Sequence, residues 1–141
     1  MRKFCFYEEI NGIKHLNDLF SRYKNQANIF IEKLKPSFEK NKINISDINK
    51  NSFEFSFWGL DFIAKTEISF DEESNTFKKG ELNTYLIMNE SLDLVITYNF
   101  DYFGNIGNGC LQDDFADFYY VDFVNSLIKH TAENNIKFKL Y

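Results

Sequence analysis

Positive charge is missing from a long stretch of this chain. Between Gly80 and Ile128 there is no Lys, Arg or His, whereas eight acidic residues occur there. They are Glu81, Glu90, Asp93, Asp101, Asp113, Asp114, Asp117 and Asp122. Such a segment repels phosphate groups and attracts basic surfaces, and nucleic-acid affinity comes from Lys and Arg. The segment therefore argues against a nucleic acid as the main ligand.

Cysteines and long apolar runs are also scarce. Cys5 and Cys110 are the only cysteines, and two thiols so far apart in an otherwise ordinary composition are expected to be reduced and buried. The chain has no apolar run of 18 residues, and its start, MRKFCFYEEI, lacks the apolar stretch of a signal peptide. We expect a soluble, cytoplasmic protein that binds no membrane.

Catalytic and cofactor motifs are incomplete. The run GNIGNG, residues 104–109, has the wrong spacing for a dinucleotide-binding loop, and Asp113 and Asp114 at the start of the next helix would oppose an anion. His15 and His130 lack zinc-ligand spacing. A nucleophile pair of Cys110 with His130 stays open as an alternative, because such residues meet in space rather than in sequence. We expect no catalytic residue and no cofactor.

Acidic residues near the second helix offer one further kind of site. Asp101, Asp113, Asp114 and Asp117 could supply oxygen ligands to a divalent ion. The segment lacks the EF-hand pattern, however, and carboxylates in the first turn of a helix have a simpler role as caps. Asp114 is the expected N-cap, with Asp117 in the capping-box position. We therefore expect no bound metal.

Large rings dominate what the chain does contain. Of its 141 residues 44% are hydrophobic, and they include 17 Phe and 8 Tyr. This length supports one core rather than two, and rings rather than Leu and Val must fill much of it. We expect a single domain that spans residues 1–141.

Periodicity predicts a helix, an antiparallel sheet and a second helix. Apolar spacings of three and four predict the first helix from Ile13 to Leu34, ended by Pro36. Alternation predicts a hairpin at 53–58 and 62–70 around the WGLD turn, then strands at about 81–88 and 92–100. Further candidate strands are residues 3–7, 43–48 and the final IKFKLY. One face of the 92–100 strand would hold Leu92, Leu94, Ile96, Tyr98 and Phe100. The expected class is α+β, an antiparallel β-meander of four to five strands flanked by an N-terminal and a C-terminal helix packed on one face.

The second helix, predicted from about Phe115 to Glu133, contains the segment DDFADFYYVDFV. At 100° per residue its core side holds Ala116, Tyr120, Phe123, Val124, Leu127 and Thr131, with Tyr119 and Ile128 at the edges. The other side holds Phe118 with Asp114, Asp122, Asn125 and Lys129, and Val121 lies at its margin. Such a ring is either covered by another part of the protein or serves as an anchor for a partner.

Charge is also divided along the chain. Residues 1–42 carry nine Lys or Arg against five acids, and residues 43–141 carry seven against sixteen. The excess of Lys over Arg, the many Asn and Ile residues and the single Pro indicate an AT-rich gene of bacterial or mobile-element origin. With the small size and the acidic aromatic segment DDFADFYYVDFV, these features resemble the acidic, cytosolic immunity proteins of bacterial polymorphic-toxin and contact-dependent growth inhibition systems. The resemblance implies binding of one cognate toxin, often a nuclease with a basic cleft.

The expected partner-binding residues follow from this interpretation: Asp101, Tyr102, Phe103, Asp113, Asp114, Asp117, Phe118 and Asp122. The expected partner is a protein toxin with a basic surface, bound by a monomer or weak dimer. Two alternatives stay open. A small-molecule-binding domain or small enzyme would have a pocket between helix and sheet, lined by Trp58, Tyr85, Tyr98 and Phe100. A structural subunit would bury its apolar surface in a homo-oligomer.

Overall fold

The computed structural model describes residues 6–107 and 115–140, without the side chains of residues 6–9. Its elements are α1 (Phe6–Glu39), β1 (Ile45–Asn49), β2 (Ser52–Phe57), β3 (Leu60–Asp71), β4 (Thr76–Met88), β5 (Ser91–Phe100) and α2 (Phe115–Glu133). The strands form one antiparallel sheet in the order β1-β2-β3-β4-β5. Both helices pack on the same face of this sheet, since Phe38 of α1 and Phe123 of α2 both contact Phe55. The predicted α+β meander is confirmed.

Pro36 does not end α1, which continues to Glu39. A proline inside a helix removes one backbone hydrogen bond and crowds the preceding turn. The helix nevertheless continues because Phe38 is fully buried and its ring contacts Phe53 and Phe55 at centroid distances of 5.8 and 4.9 Å. Tertiary packing therefore outweighs the local preference of the sequence.

Both predicted terminal strands are wrong where the structure describes them. Residues 6 and 7 belong to α1, while residues 3–5 lie outside the described part. Residues 136–140 follow α2 without joining the sheet. They lie instead against the β2–β3 turn, where the rings of Phe138 and Trp58 are 5.4 Å apart.

The β2–β3 hairpin forms where the WGLD turn predicts it. Trp58 and Gly59 both have positive φ, 53° and 76°, which is the backbone of a two-residue hairpin turn. An added Cβ on Gly59 would lie 2.6 Å from the carbonyl oxygen of Lys139. Glycine is therefore required here both by the turn and by the C-terminal segment that crosses it.

Leu92 and Leu94 lie on the helix-free face of the sheet, contrary to the single face predicted for β5. The register with β4 shifts so that Val95 is an extra residue, a β-bulge. The bulge reverses the alternation of side chains along the strand. Ile96 and Phe100 are consequently buried, whereas Leu92 and Leu94 are nearly half exposed.

The hydrophobic core lies between the two helices and the sheet and is built mainly from rings, as the composition predicts. Phe123 of α2 is central to it, with ring centroids 5.2 Å from Phe62 and 5.5 Å from Phe55 in edge-to-face geometry. Such pairs contribute about 0.5–1.5 kcal/mol each beyond the burial of their area. One continuous core therefore holds α1, α2 and the sheet together.

Candidate interaction surface

The inner side of α2 is fixed by five buried side chains: Phe115, Tyr119, Phe123, Leu127 and Thr131. Tyr119, predicted at the edge of the core side, is fully buried. Its hydroxyl lies 2.8 Å from Thr84 Oγ1 and donates toward the carbonyl oxygen of Leu82 at 3.3 Å. Burial raises the pKa of this phenol. Because its polar atom is satisfied, the large ring can lie at the centre of the interface.

The rotation of α2 toward Tyr119 exposes a line of apolar side chains on its outer side. Phe118, Val121 and Ile128 are 60%, 53% and 50% exposed. Their spacings of three and seven residues place them on one side of the helix, and we call these three residues the α2 stripe. The sequence pattern predicts Phe118 there and Val121 at its margin. It misses Ile128, because only the burial of Tyr119 reveals the true orientation of the helix.

Asp122 lies beside the α2 stripe, one helical turn after Phe118. Its carboxylate is exposed and accepts a hydrogen bond from the hydroxyl of Tyr98 on β5. A neutral donor leaves the negative charge in place. Asp122 therefore fixes α2 to β5 and still presents an acidic group next to the stripe.

Asp117 has a different environment from the one expected of a partner-binding residue. Lys40 Nζ lies 2.7 Å from its Oδ1, and Ser37 Oγ donates to the same oxygen at 2.7 Å. Lys40 and then Ser37 hold the pKa of this carboxyl below its usual value. Asp117 thus joins the start of α2 to the end of α1, and Lys40 offsets its charge.

The loop after β5 contains the three other expected residues that the structure describes. Asp101 Oδ1 accepts the backbone N–H groups of Phe103 and Asn105, each at 3.0 Å, so this carboxylate organises its own turn. The Tyr102 ring packs 5.8 Å from that of Tyr23. The ring of Phe103 packs at a tilt against that of Tyr102, with centroids 4.3 Å apart, and is 72% exposed. Phe103 is therefore the most accessible ring of the loop.

Asp113 and Asp114 lie outside the described residues, as do Cys5 and Cys110, so the predictions made for them stay predictions. Within residues 6–107 and 115–140, no group of three or more His, Cys, Asp or Glu side chains is placed to hold a metal ion. In the same ranges no helix combines the length and apolar character needed to cross a membrane.

Comparisons with protein-family models, curated proteins and solved structures find no match to this chain. The α2 stripe must therefore be interpreted from its own chemistry. An exposed line of apolar side chains beside an exposed acidic group is typical of a surface that contacts another protein.

Two cavities bear on the small-molecule alternative. A groove of about 280 Å³ lies between α1 and the sheet, and its lining residues are Phe20, Tyr23, Lys24, Ala27, Asn51, Thr66, Glu67, Ile68 and Phe100. Of the four predicted pocket residues, only Phe100 is among them. Tyr98 packs on Tyr119, Trp58 stacks on Phe57, and Tyr85 pairs with Ile63 on the helix-free face. A depression of about 620 Å³ lies along β1, β2 and β3, and its lining is evenly divided between polar groups, such as Glu54 and Asp61, and apolar groups, such as Phe62.

Proposed function

We propose that the protein binds and neutralises a basic protein toxin through the α2 stripe and Asp122, as immunity proteins do. The observation that carries this proposal is the line of Phe118, Val121 and Ile128, each at least half exposed. It lies within a chain segment that has no positive charge. Isolated apolar side chains are common on surfaces, whereas an aligned set next to acid favours a partner.

Affinity and steering come from different parts of this surface. Phe118 would act as the anchor, because aromatic side chains that become fully desolvated dominate binding energies. Asp122 and the acidic background would attract a basic partner and raise the association rate. Asp117 contributes less than the sequence predicts, because Lys40 offsets its charge. Asp101 binds only neutral N–H groups of its own turn, so it keeps its negative charge and adds to the acidic background.

The small-molecule alternative has weaker support. The groove between α1 and the sheet has a volume of about 280 Å³, close to the lower end of the range of about 300–1,000 Å³ that is usual for ligand pockets. The depression of about 620 Å³ lies within that range, but its lining includes no helix residue, so it is not the predicted pocket between helix and sheet. Trp58, Tyr85 and Tyr98 lie elsewhere, so the convergence of rings on which this alternative depended is missing from the groove. The groove is better suited to a single apolar side chain.

The test is binding to the product of the neighbouring gene, measured by calorimetry and by association kinetics. Phe118→Ala should weaken binding by at least about tenfold, or about 1.4 kcal/mol. Asp122→Lys should slow association and reduce the effect of salt on the rate. Binding of an acidic partner, or wild-type affinity in both variants, would contradict the proposal.

Two controls separate binding from folding. Tyr98→Phe removes the hydrogen bond to Asp122 and keeps its charge, so it should leave the salt dependence of association unchanged. Leu92→Ala removes a hydrophobic side chain of β5 that is 46% exposed but lies away from the stripe, so it should not change affinity. Circular dichroism of each variant checks that α2 is intact.

A further inference from the structure

β3 extends well beyond the strand that pairs with it on one side. β2 begins at Ser52, which lies opposite Lys65, and the N–H of Thr66 donates to the carbonyl of Asn51 at 3.1 Å. β4 continues to pair with β3 on the other side as far as Asp71. Along residues 67–71, no other strand of the described chain occupies the side on which β2 lies.

The direction of the backbone groups on this open edge follows from the register. In an antiparallel sheet successive residues point their N–H and C=O groups alternately to the two neighbouring strands. The backbone groups of Thr66 point toward β2. The N–H and C=O groups of Ile68 and Phe70 therefore point in the same direction, beyond the end of β2. No bond within the described part of the chain takes up these groups. Such an edge is a template for another strand.

An apolar groove lies beside the same edge. Ile68 lines the 280 Å³ groove, whose other apolar lining residues are Phe20, Tyr23, Ala27 and Phe100 and whose polar ones are Lys24, Asn51, Thr66 and Glu67. Phe70 is two residues further along β3, so its side chain shares the face of Ile68. Its ring packs 5.5 Å from that of Phe77 yet is 43% exposed. The edge thus combines unpaired backbone groups, an unfilled apolar groove and an exposed ring.

We infer that the open edge of β3 pairs with the same edge of a second copy, so that two sheets join into one. With a twofold axis at Ser69, Ile68 of one copy lies opposite Phe70 of the other, and both residues point their backbone groups across the new interface. The exposed ring of Phe70 then enters the groove of the second copy beside Ile68. This dimer does not involve the α2 stripe, so it holds whether or not the proposed function does.

Charge supports a second copy only at the turns, because the same twofold register places Asp71 of one copy opposite Glu67 of the other, a like-charge pair that weakens the dimer. The β3–β4 turn carries the exposed acids Glu72 and Glu73, and the β1–β2 turn carries the exposed Lys50. In the twofold register Asp71 of one copy lies opposite Glu67 of the other, next to Asn51 at the start of β2. The residues that follow Asp71 in the first copy therefore lie close to the β1–β2 turn of the second copy. The acidic turn of each copy therefore approaches Lys50 of the other. The contact is short, so we expect a weak, concentration-dependent dimer.

The first experiment is sedimentation equilibrium of the full chain across the micromolar to millimolar range. The mass should rise toward that of two chains, and amide exchange at Ile68 and Phe70 should slow as concentration rises. Phe70→Lys should abolish both effects, because it places a charge where the groove is apolar. Leu92→Lys makes the same change at a side chain of similar exposure and should leave the dimer intact. A monomer at all concentrations, or a dimer that survives Phe70→Lys, overturns the inference.

A cross-link tests the register itself. In this register Ser69 of one copy faces Ser69 of the other as a non-hydrogen-bonded pair, with Cα atoms about 4.5 Å apart. A disulfide spans Cα distances of about 4.4–6.8 Å, so cysteines at this position could form one. In a Cys5→Ser, Cys110→Ser background, Ser69→Cys should form a dimeric disulfide at least about tenfold faster than the exposed control Ser56→Cys. Equal rates overturn the twofold register.

Discussion

The buried pair of Tyr119 and Thr84 sets how α2 is oriented, and its contribution to stability can be measured. Both residues are fully buried, and their hydroxyl oxygens are 2.8 Å apart. Tyr119→Phe removes one hydroxyl and leaves Thr84 Oγ1 buried without this partner. A lost hydrogen bond costs about 0.5–1.5 kcal/mol, and an unsatisfied buried group about 1–3 kcal/mol. We expect Tyr119→Phe to lower the free energy of unfolding by about 1–2 kcal/mol.

Removal of the hydroxyl of Thr84 instead of that of Tyr119 should lower the free energy of unfolding by less. In Thr84→Val the hydroxyl of Tyr119 still donates a hydrogen bond to the carbonyl oxygen of Leu82 at 3.3 Å. We therefore expect the free energy of unfolding to fall by about 1 kcal/mol or less. The double variant removes both hydroxyls, so no buried hydroxyl is left without a partner. Its loss should therefore fall short of the sum of the single losses by about 0.5–1 kcal/mol.

Urea unfolding followed by circular dichroism measures these differences. With a slope of about 1–3 kcal/mol per molar urea, a loss of about 1.5 kcal/mol lowers the midpoint by roughly 0.5–1.5 M. Tyr120→Phe, a change of the same atom at a partly buried neighbour, is the control and should shift the midpoint little. A loss under about 0.5 kcal/mol in Tyr119→Phe, or strictly additive losses, would refute the reasoning.

Three further predictions concern α1, its junction with α2, and β4. Pro36→Ala should raise the free energy of unfolding by about 1–3 kcal/mol, because it restores a helical hydrogen bond at an exposed position; an unchanged urea midpoint would contradict this. Lys40→Gln should raise the pKa of Asp117, followed by carbon NMR. The ionised Asp117 stabilises the fold above the unfolded pKa of about 3.9, and this stabilisation is lost as the pH falls from that value through the lower pKa of the folded state. The variant has less of this stabilisation, so it should lose less stability on acidification than the wild type. Gly80→Ala should cost about 1–3 kcal/mol, because its Cβ would lie 2.3 Å from the Phe100 ring, which the rings of Phe30 and Tyr23 hold in place; adding Phe100→Leu should recover part of that loss in thermal melts.

Local patterns predict most of the elements because they depend on neighbours in sequence. Alternation identifies β2 and β3, and the WGLD turn fixes their hairpin through the positive φ of Trp58 and Gly59. The predictions fail where distant contacts outweigh local preference. The burial of Phe38 against β2 stabilises α1 beyond Pro36. The bulge at Val95 places Leu92 on the face of the sheet opposite the core.

The candidate surface shows the same division. Sequence alone determines that Gly80–Ile128 has no positive charge and that Phe118 lies opposite the core side of a helix. Only the tertiary structure decides that Asp101 and Asp117 bind groups of their own chain and that Ile128 joins the exposed line. The physical reason is that helical periodicity fixes the angles between side chains on α2, whereas the direction of the helix is set by what Tyr119 meets on β4. Charge and spacing are properties of the sequence; pairing and exposure depend on residues that only folding brings together.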